Sequence, residues 1–404
     1  MKSVGIVAEY NPFHNGHLYH VQAAKRLSQS DVTIAVMSGN FLQRGEPALV
    51  SKWSRTKMAL QSGVDIVIEL PYAFAVQKAE VFAHGAIFLL NAMKCSGICF
   101  GSESGDIQQF IHTLSFMNDK KTEYDKHIRM FIKQGISYPS ALALAYQELG
   151  PDSRSVDLST PNNILGYHYV YAAAEINPRL NFYTVQRKSA GYHDESFSDA
   201  TIASATSIRK SLNAHGNLSE IQAYIPHETL ANLHQYRSDF AQFHIWEDYW
   251  PYLQYRLLSM NKEELREIYE VEEGLENRLI KAAHSADNFH SFMKAIKTKR
   301  YTWTRLQRLC VHILTNTRKT TIHALDKSPQ YARLLGMSSI GREYLNQIKK
   351  ELPIPLVSKL SAYENNMLML DIRAADVYAH GLAEPYRRKL LAFEYRQPPI
   401  FNNA

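Results

Sequence analysis

A tight loop between an apolar run and a helical stretch near the amino terminus constrains this chain more than any other feature. The apolar run covers residues 4–8, the helical stretch covers residues 18–27, and His14-Asn15-Gly16-His17 stands between them. Pro12 predicts a turn here, because proline fits poorly inside either regular element. The order strand, loop, helix leaves backbone N–H groups and the positive end of a helix dipole open to an anion such as a nucleotide phosphate.

The two histidines of this loop are suited to phosphate chemistry. They lie three residues apart, and Gly16 between them allows a ligand to approach the backbone. Two imidazoles placed there can hydrogen-bond a polyphosphate as charge develops during attack at the α-phosphorus. The alternative is that His14 and His17 only cap the helix and pack against it. The HxGH pattern resembles the signature of the nucleotidyltransferase superfamily, whose members attack the α-phosphate of ATP and release pyrophosphate, and this resemblance implies that both histidines are catalytic.

Apolar runs alternate with helical patterns through the first half of the chain. Strands are predicted at residues 33–37, 65–70, 97–100 and 180–186, and helices at 53–61, 76–93 and 161–175. This rhythm predicts an α/β fold with a Rossmann-like parallel sheet and helices on both faces. In such folds ligands bind beyond the carboxyl ends of the strands.

Loops that contain glycine follow three of the predicted strands and are expected to open onto one crevice. The HxGH loop follows the first strand, residues 38–45 follow the second, and residues 101–105 follow the strand that ends at residue 100. Gly101 would let an adenosine lie against the backbone, because any side chain there would block it. Arg44 can pair with a phosphate or a carboxylate through its planar guanidinium, or it can be an ordinary solvated side chain.

Polar and cationic residues later in this half are further candidates for the nucleotide site. Asn162, at the start of a predicted helix, can cap that helix or read a base or ribose. Arg187 and Lys188 stand just past a strand end, where a polyphosphate would dock.

The segment 203–210 is rich in hydroxyl groups and enters a helix. Ser207 and the helical N–H groups would hold phosphates, while Arg209 or Lys210 would neutralise the leaving pyrophosphate. This segment resembles the second signature of HxGH nucleotidyltransferases without matching it fully, and a plain helix cap is the alternative.

A basic window lies in the second half of the chain. Between residues 294 and 319 there is no Asp or Glu, and the cations are Lys294, Lys297, Lys299, Arg300, Arg305, Arg308, Arg318 and Lys319, interleaved with Tyr301, Trp303 and His312. Cations would neutralise RNA phosphates and exposed rings would stack on unpaired bases. The helical spacing of Leu306, Leu309, Cys310, Ile313 and Leu314 predicts a core-facing stripe, with Arg305 and Arg308 facing outward. The alternative is a solvated amphipathic helix with Trp303 buried.

Composition narrows the class of protein. The 404 residues exceed what one core usually supports, so two or three domains are expected. The resemblance implies a nucleotidyltransferase-like part over residues 1–215, followed by a mostly helical region over residues 216–404. Residues 221–276 are expected to be helical scaffold, and residues 396–404 an irregular tail. Three cysteines exclude a disulfide framework and predict buried thiols. No apolar run is long enough to span a bilayer and no leader is recognised, which favours a cytoplasmic protein.

Longer blocks in the first half narrow the resemblance to one family, the bacterial tRNA(Met) cytidine acetate ligases. The blocks are residues 7–17, 38–47, 68–71, 161–166 and 190–194. The resemblance implies an enzyme that makes acetyladenylate and pyrophosphate from acetate and ATP, and then acetylates N4 of the wobble cytidine (ac4C34) of elongator tRNA(Met). Magnesium is expected with the ATP, although no carboxylate cluster predicts a dedicated metal site.

The same resemblance implies a set of nucleotide contacts. They are Val7, Ala8, Glu9, Tyr10, Asn11, Pro12, Phe13, His14, Asn15, Gly16, His17, Leu18, Tyr19, His20, Gly101, Asn162 and Arg187. The strand-end argument adds Lys188, Ser207 and Arg209. For tRNA we expect contacts from Lys297, Lys299, Arg300, Trp303, Arg305 and Arg308.

Two other functions fit parts of this pattern. One is an HxGH adenylyltransferase, or an acyl-adenylate ligase, that acts on a small-molecule acceptor and would have no use for the basic window. The other is a catalytically silent RNA-binding protein that retains an ATP-shaped domain. Both histidines and Arg187 are present, which argues against the silent protein.

Overall fold

A single sheet organises the chain, and its strands come from both halves of the sequence. The computed structural model describes residues 1–187, 203–272 and 274–403. The strands in these residues are β1 (Ser3–Ala8), β2 (Val32–Ser38), β3 (Ile66–Leu70), β4 (Gly97–Ser102), β5 (Asn181–Gln186), β6 (Ala332–Ser338), β7 (Leu356–Val357) and β8 (Ile400–Asn402).

Helices make up most of the remaining regular structure. In chain order they are α1 (Asn15–Ser28), α2 (Lys52–Gln61), α3 (Tyr72–Ala75), α4 (Ala79–Ala92), α5 (Ile107–Asp119), α6 (Lys121–Lys133), α7 (Tyr138–Glu148), α8 (Pro161–Ile176), α9 (Ala205–His215), α10 (His227–Phe240), α11 (Trp246–Ser259), α12 (Lys262–Glu267), α13 (Leu275–Ser285), α14 (Phe289–Ile296), α15 (Trp303–Leu314), α16 (Lys319–His323), α17 (Ser339–Ile348), α18 (Asn366–Ala379) and α19 (Tyr386–Arg396). Two 3-10 helices cover Leu218–Tyr224 and Leu360–Ala362.

The strand order places a topological switch point at β1. The order across the sheet is β5-β4-β1-β2-β3-β6-β7, with β8 paired to β6. Strands β1 to β5 are mutually parallel, so their carboxyl ends share one edge. The chain runs from β1 through β2 to β3 on one side and returns to β4 and β5 on the other. The HxGH loop therefore leaves the sheet where ligands of doubly wound folds bind, and the predicted parallel sheet is confirmed.

Helices cover both faces of the sheet, as predicted. Adjacent residues of a strand point to opposite faces. Val4 packs in a small cluster with Ala23 and Ala24 of α1, whereas a Cβ on the neighbouring Gly5 would meet the side chain of Leu90 in α4, 2.6 Å away. Helices α1 and α4 thus sandwich β1 between them and direct the HxGH loop toward the open edge.

The second half of the chain extends the same sheet, which its sequence pattern does not predict. Strand β6 pairs antiparallel with β3, and β7 and β8 then pair parallel with β6. The expected irregular tail is wrong for Ile400–Asn402, because these residues form β8. The rest of the second half is mostly helical, as predicted, and residues 221–276 are helix-rich.

Other local predictions hold with shifted boundaries. The helix expected at residues 76–93 is α4, which begins three residues later because Lys78 is extended (φ −62°, ψ 155°) and serves as its N-cap. Cys95, Cys99 and Cys310 are buried free thiols, as predicted. None of the helices in the described ranges combines the length and apolar character that a bilayer span requires.

Candidate active site

The two histidines of the HxGH loop form a stacked pair at the start of α1. Their ring centroids are 3.7 Å apart with an interplanar angle of 28°. His14 is the N-cap of α1: its Nδ1 accepts a hydrogen bond from the backbone N–H of Gly16 (3.1 Å). The Nδ1 of His17 in turn accepts from the backbone N–H of His14 (3.3 Å). The capping alternative is therefore real, and it does not exclude a chemical role because each ring uses only one of its nitrogens.

The hydrogen bonds and the surroundings define the protonation of this pair. A ring nitrogen that accepts carries no proton, so each neutral imidazole carries its proton on Nε2. Burial, together with the charges of Arg187 and Arg209, lowers the pKa of His14 to about 3. Burial and the adjacent His14 also hold the pKa of His17 well below its usual value. Both rings are thus neutral at physiological pH, each with one N–H available as a donor.

Two arginines lie close enough to influence the histidines. Arg209, near the start of α9, donates through Nη1 to the carbonyl of Asn11 (2.9 Å) and through Nη2 to Glu46 Oε2 (2.9 Å). These bonds join α9 to the β1 loop and to the loop after β2. Arg187 follows β5 directly, and a Cβ on Gly101 of β4 would lie 3.5 Å from its Cγ. The structure therefore brings His14, Arg187 and Gly101 to one crevice.

The loop after β4 is held by the start of α8. The Glu103 carboxylate accepts from the backbone N–H of Asn163 (2.8 Å) and from the side-chain amide of Asn162 (2.6 Å). Asn163 returns the interaction, since its Oδ1 accepts from the backbone N–H groups of Glu103 (3.0 Å) and Ser104 (3.1 Å). Asn162 thus lies at the same crevice as Gly101. Glu103 was missed as a positioning residue, although its place after a strand-end glycine was a usable signal.

A second residue missed by the sequence analysis is Arg55 of α2, which is fully buried. Its guanidinium donates to the carbonyls of Glu9 (2.7 Å) and Ser38 (3.0 Å) and also to that of Gly39. It therefore ties the ends of β1 and β2 together from below the crevice. Burial lowers its pKa to about 10, so it remains charged at physiological pH. The signal in the sequence was a lone arginine on the apolar side of the helix at residues 53–61.

Within the segment that precedes and begins α1, other residues position the pair. The edge of the Tyr10 ring contacts His17, with centroids 5.0 Å apart. Glu9 Oε1 accepts from the backbone N–H of Gln43 (2.8 Å), which connects the β1 loop to the loop after β2. Burial lowers the pKa of His20 to about 4, so this histidine is neutral as well.

Ser207 and Lys188 are the phosphate candidates that remain from the strand-end argument. The Ser207 hydroxyl is buried and donates to the carbonyl of Ser204 (2.9 Å), while its N–H donates to the Ser204 hydroxyl that caps α9. The plain-cap alternative describes this local structure. Lys188, and the block at residues 190–194, lie outside the described residues.

The basic window is less exposed than the sequence analysis predicted. The apolar stripe of α15 is buried as expected. The outward orientation of Arg308 is wrong: this side chain is buried, with Nε 3.2 Å from Glu270 Oε1. Arg305 is half-buried and paired with Glu272 at 3.1 Å. Tyr301 and His312 are buried as well. The acidic partners come from residues 270–272, which lie outside the acid-free window in sequence but beside it in space.

The other residues of the window remain accessible. Lys297, Lys299 and Arg300 are exposed between α14 and α15, and Trp303 is half-buried at the start of α15. In the described part of the chain, no group of three or more His, Cys, Asp or Glu residues is arranged to hold a metal ion.

Comparisons with known proteins match the whole length of the chain. The model of the HIGH Nucleotidyl Transferase family matches residues 1–391. Among curated relatives, the tRNA(Met) cytidine acetate ligase of Bacillus licheniformis is 50% identical over 404 residues, covering 99% of this chain and 97% of the relative. That of Bacillus subtilis is 48% identical over 405 residues, with the same coverage of 99% and 97%.

Solved structures agree with this match. The crystal structure of Thermotoga maritima TmcAL in its apo form I is 32% identical, with a TM-score of 0.91 and 100% of both chains covered. The same protein bound with alpha-thio ATP is 31% identical, with a TM-score of 0.89 and the same coverage. On sequence and structure together, this chain belongs to the HIGH nucleotidyl transferase family and, within it, to the tRNA(Met) cytidine acetate ligases.

Proposed function

We propose that this chain is an ATP-dependent ligase that acetylates N4 of the wobble cytidine of elongator tRNA(Met). The observation that carries the proposal is the stacked neutral pair His14 and His17 at the switch point of the sheet, with Arg187 and Arg209 beside it. Its support from outside the chain is that relatives about half identical over nearly their full length are named tRNA(Met) cytidine acetate ligases, and that the related Thermotoga maritima protein was crystallised with alpha-thio ATP.

In the first step a carboxylate oxygen of acetate attacks the α-phosphorus of ATP. The bond from that phosphorus to the bridging oxygen breaks, and pyrophosphate leaves. The Nε2–H groups of His14 and His17 donate to the phosphoryl oxygens on which charge develops, and neutral donors do so without a competing proton transfer. Arg187 is suited to stabilise the leaving pyrophosphate. Arg209, already bonded to Glu46, is better suited to hold the loops in place.

In the second step the amino nitrogen of cytosine attacks the acyl carbon of acetyladenylate. The acyl carbon–oxygen bond breaks, AMP leaves, and the nitrogen releases one proton. The acyl group is already activated, so positioning is the main requirement on the protein. Residues 1–215 would supply this chemistry, and residues 216–404 would hold the tRNA.

We propose that the nucleotide contacts are the segment from Val7 to His20 with Gly101, Asn162 and Arg187, and that Lys297, Lys299, Arg300, Trp303 and Arg305 contact the tRNA. Magnesium would accompany the ATP phosphates, as it does in other ATP-dependent enzymes. There it would offset phosphate charge.

The test is transfer of radiolabelled acetate to unmodified elongator tRNA(Met) in the presence of ATP and magnesium. The matched substrate is the same transcript with uridine at position 34, which lacks the amino group. Label on the first transcript alone supports the proposal. Acetate-dependent exchange of pyrophosphate into ATP without label on RNA would move the acceptor to a small molecule. If neither label on RNA nor pyrophosphate exchange is detected, acyl-adenylate chemistry is refuted. The small-molecule adenylyltransferase and the silent RNA-binding protein are then the remaining functions.

A further inference from the structure

Helix α6 presents cations that no described residue neutralises through an ion pair. Lys126, Arg129 and Lys133 recur at intervals of three and four residues, so they share one side of the helix, and all three are exposed. Within the described ranges none of the three makes a side-chain hydrogen bond or an ion pair. The acidic residues of α6 are Glu123 and Asp125. Asp125 stands four residues before Arg129 on the same side of the helix, but the described residues show no ion pair between them. The arginines of α15 differ, since Arg305 and Arg308 are paired with glutamates.

The same helix contributes little to the core. None of its thirteen residues is buried, although it is amphipathic, and Met130 on the cationic side is 42% exposed. The connection from β4 to the parallel β5 needs only one crossover helix, and α8 already leads directly into β5. Helix α6 is therefore an addition to the nucleotide-binding fold that places no residue in the core, whereas α7, on which it packs, buries Ala141, Ala145 and Tyr146.

Contacts place this addition beside the crevice. Helix α6 packs along α7, where the Tyr124 hydroxyl donates to the carbonyl of Leu142 (3.3 Å). The start of α7 follows the end of α6 within five residues, and there Lys78 Nζ lies 5.9 Å from the ring centroid of Tyr138. The neighbour of Lys78, Gln77, accepts through its carbonyl from Gln43 Nε2 (2.7 Å).

Gln43 belongs to the loop after β2, and its backbone N–H donates to Glu9 at the end of β1 (2.8 Å). The carboxyl end of α6 thus lies on the edge of the sheet where the nucleotide site is. Gln77 also receives the Tyr269 hydroxyl from the helical region at 3.4 Å, so the crevice has α6–α7 on one flank and the helical region on another.

We propose that Lys126, Arg129 and Lys133, the α6 cationic face, bind the phosphate backbone of the tRNA whose cytidine enters the crevice. This inference rests on the proposed function. The target base must reach acetyladenylate inside the crevice, so phosphates of the surrounding nucleotides pass over its flanks. Three cations on one flank, unpaired among residues 1–187, 203–272 and 274–403, match that charge and release counterions when the RNA docks.

The test compares two double charge reversals in the full-length protein. Lys126→Glu/Arg129→Glu changes the α6 cationic face. Lys349→Glu/Lys350→Glu makes the same charge change at the end of α17. Tyr344 of α17 contacts Ser3 at the start of β1, so this helix lies at the amino ends of the parallel strands, opposite the crevice. The measurements are the Kd for elongator tRNA(Met) at several salt concentrations, the KM for tRNA in acetylation, and acetate-dependent pyrophosphate exchange without tRNA.

We expect the α6 variant to raise the Kd and KM for tRNA about tenfold and to reduce the slope of log K against log salt by about two, with pyrophosphate exchange unchanged. The α17 variant should behave as wild type. A milder pair, Lys126→Gln/Arg129→Gln, should shift both values in the same direction by less, which guards against misfolding of the reversal. Equal Kd values for the α6 and α17 variants would overturn this inference and leave the proposed function intact. Absence of tRNA acetylation by the wild type would instead overturn the proposed function.

Discussion

At the scale of single residues, His14 combines a structural and a chemical task in one ring. Its Nδ1 caps α1 through Gly16, and its Nε2 retains the proton. The two tasks are separable, because asparagine is a good helix cap but cannot place an N–H where Nε2 lies. A substitution can therefore remove the donor and keep the cap.

The first prediction uses this separation. His14→Asn should lower acetate-dependent pyrophosphate exchange by roughly a hundredfold or more, as loss of one preorganised donor does elsewhere, with little change in stability. His14→Ala should show the same loss of exchange and an additional decrease of about 1 kcal/mol in the free energy of unfolding, because the cap is also lost. Exchange kinetics and urea unfolding measure the two effects.

Neither variant should change the Kd for tRNA. Full exchange activity in His14→Asn would mean that the ring acts only as a cap. The plain-cap alternative would then describe the whole function of His14.

At the scale of elements, the loop between β2 and α2 connects the crevice to the helical region. Gly45 has φ +76°, and a Cβ there would lie 2.3 Å from the backbone nitrogen of Arg308 in α15. The carbonyl of Gly45 accepts from the indole N–H of Trp246 in α11 (3.0 Å). The same loop carries Glu46, the partner of Arg209. Packing on α11 and α15 therefore determines where this loop holds Arg209.

The second prediction concerns that packing. Gly45→Ala should lower the free energy of unfolding by about 2 kcal/mol or more, because backbone strain and a collision with α15 add together. It should also reduce pyrophosphate exchange, since Glu46 and Arg209 would shift. Thermal or urea unfolding and exchange kinetics test both.

Gly135→Ala is the matched control. Gly135 also has a positive φ, +78°, but nothing lies within 4 Å of its Cβ position. Gly135→Ala should lower the free energy of unfolding by about 1 kcal/mol, the cost of backbone strain alone, and should leave pyrophosphate exchange normal. If the two variants lost equal stability, contact with α15 would have no part in holding the loop.

At the scale of the whole molecule, a buried ionic cluster joins the two halves through the shared sheet. Lys52 Nζ lies 2.8 Å from Glu69 Oε1 and 2.7 Å from Glu394 Oε1. Arg333 Nη1 lies 3.1 Å from Glu69 Oε2 and 2.7 Å from Glu394 Oε1. Burial acts to raise the pKa of Glu394, but Lys52 and Arg333 together hold it below its usual range. The cluster connects α2 and β3 to β6 and α19, so residues beyond 330 are integral to the nucleotide-binding sheet.

The third prediction concerns acid stability. Burial lowers the pKa of each of three deeply placed histidines, His14, His244 and His312, to about 3. The unfolded chain binds their protons near pH 6.5 and the folded chain does not, so stability is complete above pH 6.5 and falls as the pH drops toward 3. Each histidine contributes a slope of up to about 1.4 kcal/mol per pH unit. Burial and Glu69 raise the pKa of Asp371 to about 7. The folded chain therefore takes up a proton at Asp371 at a higher pH than the unfolded chain does. This uptake stabilises the fold as the pH falls and offsets the effect of one histidine.

Urea unfolding at pH 7.5 and pH 5.5 measures the net slope. His312→Gln should flatten it, Asp371→Asn should steepen it, and His234→Gln on the exposed side of α10 should leave it unchanged. An unaltered slope in His312→Gln would show that this histidine binds protons equally in the folded and the unfolded chain.

The sequence by itself determined the parallel half of the sheet, the crevice at its edge and the family. The periodicity of the apolar residues, the turn residues and the HxGH block are local properties of the sequence. Strands β1 to β5 follow from them because buried parallel strands are continuous apolar runs. It did not determine that β6 and β8 join this sheet, since the pairing partner of a strand far away in sequence is chosen by tertiary packing.

Nor did it show that Glu270 and Glu272 neutralise the arginines of α15, that Glu103 caps α8, or that Arg55 lies beneath the loops. Electrostatic partners far apart in sequence become neighbours only when the chain has folded. Only the tertiary structure could therefore separate the cations that the protein has already paired from those that α6 leaves to a ligand.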